Sequence, residues 1–217
     1  MADRKIHIVY VTSSPFKSKE NEVFLDNCLL TDGTPVRDKF EFEIRSVPIK
    51  EILEVRIETM VMEEVTKAYS EIKVPCIVEH AGLIFEGYDS YPGGLTKPMW
   101  NVLKDQFIQE THSAKRLVTA RAVVAYCDGK TVSTFVGETK GTIAETPRGK
   151  REFYWDTIFV PDDPSGRVQN QTYAEIVDDH GLGLKYKVMN LSQSTKAMMK
   201  FLDFRQNHPP DLWPRAS

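Results

Sequence analysis

Two β-rich runs, residues 117 to 127 and 130 to 136, flank Asp128-Gly129, and this pairing constrains the fold more than any other feature of the chain. An Asp-Gly pair between such runs favours tight turns whose central residues need φ above zero, so it predicts a hairpin and a long antiparallel ribbon. The rest of the chain must supply helices and further strands around that ribbon.

It does so in α/β fashion. Ile6, Ile8, Val9 and Val11 form a strand-like run that ends at Thr12-Ser13-Ser14-Pro15, and a helix-compatible stretch follows from Ser18 to Leu30. Glu41 to Val47 alternates as a second strand. Ile57, Val61, Val65, Ala68 and Ile72 recur at spacings of four, four, three and four, which is one face of a helix. Pro75 stops it. Cys76-Ile77-Val78 then reads as a short apolar strand that delivers Glu79-His80-Ala81-Gly82 at its C-terminal end, where open α/β sheets place ligands. Ser192 to Phe204 carries Ala197, Met198, Phe201 and Leu202 at helical spacing, with Ser192 as N-cap. Residues 207–217 read as an irregular tail, and residues 1–217 as a single domain of the α/β class, a mixed sheet with a long antiparallel ribbon.

Charge and cysteine content narrow the function classes. A net charge of −3 argues against a duplex nucleic acid surface, which needs clustered Lys and Arg to displace counterions. Cys28, Cys76 and Cys127 are far apart in sequence and odd in number, which suggests neither a disulfide framework nor a zinc site and suits a reducing cytoplasm. The N-terminal run lacks the apolar core and cleavage site of a signal peptide, and nothing reaches membrane-spanning length.

Residues with chemistry cluster in a few segments. Lys150 to Phe159 sets Phe153 and Trp155 beside Asp156, after the turn Pro147-Arg148-Gly149; aromatic faces beside a hydrogen-bonding acid suit a flat heterocycle such as a nucleobase. Thr12, Ser14, Lys17 and Glu20 stand in the pattern T-x-S-x-x-K-x-x-E. Hydroxyls and free amides at a helix start, with a lysine one turn on, make a phosphate cradle. Glu20, Glu51, Glu54 and Glu79 lie at or near loop ends, and a hard ion such as Mg²⁺ takes one or two carboxylates together with substrate phosphates. Glu51, read as opening the helix after Val47-Pro48-Ile49-Lys50, is the best candidate; Glu54 and Glu58 read as ordinary first-turn acids. In Tyr91 to Lys97 a Gly93-Gly94 turn would let backbone approach a ligand, with Lys97 placed to neutralise a phosphoryl oxygen.

In order and spacing these segments resemble the inosine triphosphate pyrophosphatase family. The Thr12 to Glu20 loop is similar to its T-G-N-x-x-K-x-x-E opening, Val47-Pro48 through Glu51 to L-P-E, Val78 to Leu83 to V-E-D-T-G-L, and Pro92-Gly93 through Lys97 to a Pro-Gly segment ending in a phosphate-binding Lys. Gly137-Glu138 with Gly141-Thr142-Ile143, Pro147-Arg148-Gly149, Phe153 to Asp156 and Thr172-Tyr173-Ala174-Glu175 resemble G-E-x-x-G-x-I, P-R-G, F-G-[YW]-D and T-[FY]-A-E. The resemblance implies an elongated α/β fold whose two lobes flank a nucleotide cleft, with helices outside, often as a homodimer. It implies cleavage of a nucleoside triphosphate to the monophosphate and pyrophosphate. Thr12, Ser14, Lys17 and Lys97 would then touch phosphates, Glu20 and Glu51 would lie in the Mg²⁺ environment, and Phe153, Trp155 and Asp156 would hold the base and sugar.

Three departures modify that expectation. The Asp of V-E-D-T-G-L is His80, next to Glu79, which makes His80 a substitute base or a structural histidine at a weakened site. The S-H-R motif near the C-terminus is Ser192-Gln193-Ser194, so the cations that read a 6-oxopurine are absent, and an amide at Gln193 beside Ser194 implies altered base specificity. The Lys preceding that motif is matched by Lys185 or Lys187. Thr-Gly-Asn is Thr12-Ser13-Ser14, and the Gly of F-G-[YW]-D is Tyr154, which either narrows the base pocket or faces outward. A pyrophosphohydrolase with shifted base preference is the leading reading, and a nucleotide-binding or sensing protein that kept the pocket and lost chemistry is the competing one.

Overall fold

A computed structural model describes residues 5–111, 115–150 and 154–210. In chain order its elements are β1 (Ile6–Val11), α1 (Pro15–Asn27), α2 (Val36–Lys39), β2 (Phe40–Arg45), α3 (Ile57–Ile72), β3 (Cys76–Phe85), α4 (Thr96–Leu103), β4 (Leu117–Cys127), β5 (Val132–Ile143), β6 (Phe159–Pro161), α5 (Tyr173–Asp178), α6 (Gly183–Tyr186) and α7 (Gln193–Asn207). The strands form one sheet in the order β2-β1-β3-β4-β5-β6. β1 is parallel to β2 and β3, and the remaining pairs are antiparallel. This is the mixed α/β fold that the sequence pattern predicts.

The ribbon is β4 and β5, and its turn differs from the predicted one. Cys127 faces Val132, so residues 128–131 form the loop, and of the Asp-Gly pair only Gly129 has a positive φ, 99°. The Asp128 carboxylate accepts from the amides of Lys130 and Thr131 at 2.9 and 2.8 Å, and this side-chain bonding supports a wider loop than the tight turn needs.

Helix α3 buries Ile57, Val61, Val65 and Ala68 as its spacing predicts, and it also buries Met60 and Glu64. It begins at Ile57, so Glu51 does not open it. Glu51 lies in a segment without regular structure, and a local turn in which Arg56 N donates to Glu54 Oε1 at 2.9 Å precedes the helix. Two residues before Pro75, Lys73 caps the end with φ of 56°.

β3 corrects a second expectation. It runs for ten residues, and Glu79 and His80 sit inside it rather than at its end. β1 pairs with it only at Val9–Cys76 and Tyr10–Ile77, whereas β4 pairs along its whole length. β4 therefore carries β3 onward past the point where β1 stops. Glu79 and His80 lie beyond the C-terminal end of β1, on an edge with no strand beside it among the described residues. The register also places Cys76 opposite Cys127, so these thiols are neighbours in space though distant in sequence; all three cysteines are free.

Strand side chains alternate between faces, and the core follows. Ile77, Val124 and Tyr126 pack under α1 and α7 with Phe24, Met198 and Phe201. Cys76, Val78, Val123 and Ala125 pack under α3 with Ile57, Val61 and Val65. Leu83, Phe85, Trp155, Phe159 and Tyr173 belong to a third cluster. Ser192 caps α7, accepting from Thr195 N at 3.3 Å. Of the 207–217 segment, Asn207 is helical, 208–210 have no regular structure, and the rest lies outside the described residues. Among those described, no helix is long and apolar enough to cross a membrane.

Candidate active site

A cavity of about 140 Å³ opens where β1 ends. Thr12 and Ser14 line it from the β1–α1 connection, Lys17 from the first turn of α1, Glu51 from the segment after β2, Glu64 from α3, Glu79 and His80 from β3, Lys97 from α4, and Tyr154 and Trp155 from the segment before β6. Close backbone packing holds these pieces together. A Cβ on Gly82 would meet Gly93 O at 2.1 Å, and one on Gly93 would meet Val55 O at 2.0 Å. The Gly93-Gly94 turn thus seats its own chain against β3 and the 54–55 backbone, and the close approach expected there for a ligand is made by protein instead. Thr96 Oγ1 accepts from Leu83 N at 2.9 Å and fixes the start of α4, one residue before Lys97.

Alternation along β3 sends Glu79 and His80 to different neighbours. Glu79 points toward α1 and α7. Its Oε2 takes Lys17 Nζ at 2.9 Å and the Tyr10 hydroxyl at 3.3 Å, and its Oε1 takes the Ser194 hydroxyl at 3.0 Å. Lys17 Nζ also donates to the Glu79 backbone carbonyl. Glu79, which the sequence places beside His80 as a candidate catalytic acid, joins β1, α1, β3 and α7 through these bonds. Ser14 caps α1 and accepts from Lys17 N, and Thr12 Oγ1 accepts from Ser14 N at 3.2 Å. These bonds set the loop that brings Lys17 to the cavity. Lys97 Nζ stands on the other wall, 3.5 Å from Glu51 Oε1 and 5.7 Å from the Tyr154 ring centroid.

His80 points to the α3 face and meets Glu64, whose Oε1 is 3.9 Å from His80 Nδ1. Both are buried, at 7% exposure each. Burial, with the nearby Lys17 and Lys97 charges, holds the imidazole down at about 3, so His80 is neutral at physiological pH. Burial and then the Glu51 charge push the Glu64 carboxyl up to about 7. Glu64 is the site residue that motif reading misses. Its signal is a charge seven residues after Ile57 and three after Val61, inside the buried stripe of an amphipathic helix.

The aromatic segment is divided. Phe153 lies outside the described residues. Trp155 is 2% exposed and packs edge-on against Phe159 at 5.7 Å, so most of its ring surface belongs to the core; Tyr154, partly exposed, is the ring that faces the cavity. Asp156 turns away into a buried cluster in which Lys187 Nζ donates to Asp156 Oδ2 at 2.5 Å and to Glu20 Oε1 at 2.8 Å. Lys185 is exposed, so Lys187 is the lysine that reaches the site region. Glu20, Asp156 and Lys187 line a neighbouring cavity with Phe16, Lys19 and Lys150. Glu20 and Glu51 therefore do not share the first cavity as one carboxylate pair. Gln193 is buried, and its Oε1 accepts from the Tyr173 hydroxyl at 3.1 Å; that acceptor serves the core rather than an open base site.

Among the described residues no group of three His, Cys, Asp or Glu forms a metal site. Mg²⁺ does not require one, because substrate phosphates and waters complete its shell around one or two carboxylates. Glu51 is exposed on the cavity wall beside Lys97, where its carboxylate could meet such an ion, whereas Glu20 lines the neighbouring cavity and is engaged by Lys187.

A family model for the Ham1 family matches residues 8–204. The chain belongs to the Ham1 family. It is 32% identical over 137 residues to a dITP/XTP pyrophosphatase of Methanopyrus kandleri, a match spanning 62% of this chain and 66% of that protein. It is 30% identical over 176 residues to inosine triphosphate pyrophosphatase 2 of Trypanosoma cruzi, spanning 79% and 82%. A HAM1 protein structure from Coxiella burnetii superposes with a TM-score of 0.65 at 20% identity, covering 92% of this chain and 99% of that one, a likeness of fold. In this Ham1 chain two of the recurring motifs hold each other in place. Thr172 and Glu175 form a capping box at the start of α5, and Arg148 of Pro147-Arg148-Gly149 pairs with Glu175 at 3.1 Å while its carbonyl accepts from Thr172 Oγ1 at 3.0 Å.

Proposed function

We propose that this Ham1-family protein is a Mg²⁺-dependent nucleoside triphosphate pyrophosphohydrolase that releases a nucleoside monophosphate and pyrophosphate. The observation that carries this reading is the convergence of Lys17, Lys97, Thr12 and Ser14 with Glu51, Glu64 and His80 around one cavity at the end of β1. Two ammonium groups and the amides at the start of α1 can grip a triphosphate. Glu51 would hold Mg²⁺ against the phosphates, and the ion when bound supplies charge neutralisation at the scissile group. Lys17 enters from the α1 side and Lys97 from the α4 side, so the phosphate chain is held from two directions and its bridging oxygens are fixed. Tyr154, with Lys97 Nζ 5.7 Å from its ring centroid, is a ring on that wall that a base or sugar would meet.

Base preference follows from the start of α7. Gln193 and Ser194 replace the cations that the family pattern places there, and both already bond inside the protein, to Tyr173 and Glu79. Neither presents a positive donor to a 6-oxo group, which supports a preference shifted from inosine and xanthosine. Steady-state turnover over a panel of NTPs and dNTPs is expected to give kcat/KM values for inosine and xanthosine triphosphates within about tenfold of the best other base, because loss of one charged hydrogen bond costs about 1.5 to 3 kcal/mol. Selectivity of a hundredfold or more for those two bases would refute the shift. Binding without release of pyrophosphate would replace the hydrolase with a nucleotide sensor.

A further inference from the structure

The geometry points to Glu64 as the group that takes the proton from the attacking water, with neutral His80 beside it as a positioning residue. This rests on the hydrolase reading and names the proton acceptor that reading leaves open. Glu64 projects from the middle of α3 into the cavity floor. Its Oε1 is buried with no hydrogen-bond partner in the structure, and at 3.9 Å from His80 Nδ1 it is outside hydrogen-bonding range of the imidazole. A buried carboxylate kept only for folding is ordinarily paired, because an unpaired one costs stability.

The other acids on the cavity have partners. Glu79 is held by Lys17, Tyr10 and Ser194, and Glu51 is exposed beside Lys97. The charged and titratable groups facing Glu64 are His80 and Glu79 from β3, Glu51 from the segment after β2, Lys17 from α1 and Lys97 from α4. Within that set an imidazole held near 3 is too weak a base for water at neutral pH, while a carboxylate raised to about 7 is matched to it.

The water oxygen forms a bond to the α-phosphorus as its proton passes to the Glu64 carboxylate. The bond from that phosphorus to the bridging oxygen breaks, and the electron pair leaves on pyrophosphate. The Glu64 carboxylic acid then returns its proton to solvent.

Pyrophosphate release from dITP with Mg²⁺ tests the assignment in wild type, Glu64→Gln and Glu64→Asp from about pH 5.5 to about 9. Wild-type kcat is expected to rise through an acid limb near neutrality. Glu64→Gln should lower kcat by about a hundredfold or more, remove that limb, and leave KM within about threefold. Its melting temperature should equal or exceed that of wild type, because an unpaired buried carboxylate has been removed. Glu64→Asp should retain the limb at a reduced rate. A Gln variant with kcat within about threefold of wild type and an unchanged limb would overturn the proposal. So would a Gln variant that loses rate only in step with its melting temperature. A wild type that releases no pyrophosphate from any NTP is a different failure, which removes the hydrolase reading and this assignment with it.

Discussion

Replacing Lys187 with Met is expected to cost about 3 to 5 kcal/mol of folding stability, the typical loss when one partner of a buried ion pair is removed. Lys187 is 4% exposed, bonds Asp156 and Glu20, and lies 4.8 Å from the Tyr173 ring centroid. Burial alone would push its ammonium down, but Asp156 and then Glu20 outweigh burial and hold it above the ordinary lysine value. Without the ammonium, Asp156 keeps a buried charge with no counter-ion, and its Oδ1 already lacks a hydrogen-bond partner. Burial already raises the Asp156 carboxyl to about 6, and losing Lys187 raises it further, so the stability its protonated form supports is present below its unfolded value and lost as pH rises through the folded one. The deficit against wild type should accordingly shrink as pH falls toward about 4. Urea denaturation at two pH values measures this. A loss below about 1 kcal/mol at pH 8 would mean that the cluster contributes little.

Replacing Lys17 with Met is expected to lower kcat by about a hundred- to a thousandfold, comparable to removing one preorganised donor from a site of developing charge. The Lys17 side chain is 20% exposed against 36% for Lys97, so its field is less screened and its loss should cost more. In the resting protein its ammonium is neutralised by Glu79 at 2.9 Å, and a triphosphate entering beside Thr12 and Ser14 would compete for it. Single-turnover rates under saturating nucleotide separate chemistry from binding. A rate within tenfold of wild type would remove Lys17 from the phosphate contacts.

The sheet and its helices were legible because periodicity and turn residues are local. The α3 stripe, the Ser192 cap and the ribbon can each be read from neighbours a few positions apart. Boundaries that depend on distant partners could not be read so directly. Val78 is followed by polar Glu79 and His80, which looks like a strand ending, yet β4 supplies a partner for every residue through Phe85. Glu51 reads as a helix start because acids favour first turns, but the apolar stripe that can anchor the helix begins at Ile57. The site was half legible. Lys17, Glu51, Lys97 and Trp155 converge on one cavity, while Glu20 and Asp156 belong to the Lys187 cluster and Gln193 to the Tyr173 hydroxyl. Glu64 carries no motif, and only its position on a buried stripe distinguishes it from the other acids of α3.

The most direct measurement identifies the products when purified wild-type protein is incubated with dITP or XTP and Mg²⁺. Equal amounts of nucleoside monophosphate and pyrophosphate, with no inorganic phosphate or diphosphate nucleotide formed, are the predicted result. Release of inorganic phosphate with the nucleoside diphosphate, or intact triphosphate after prolonged incubation across the whole panel of bases, would contradict the assignment of the β1-end cavity to pyrophosphohydrolysis.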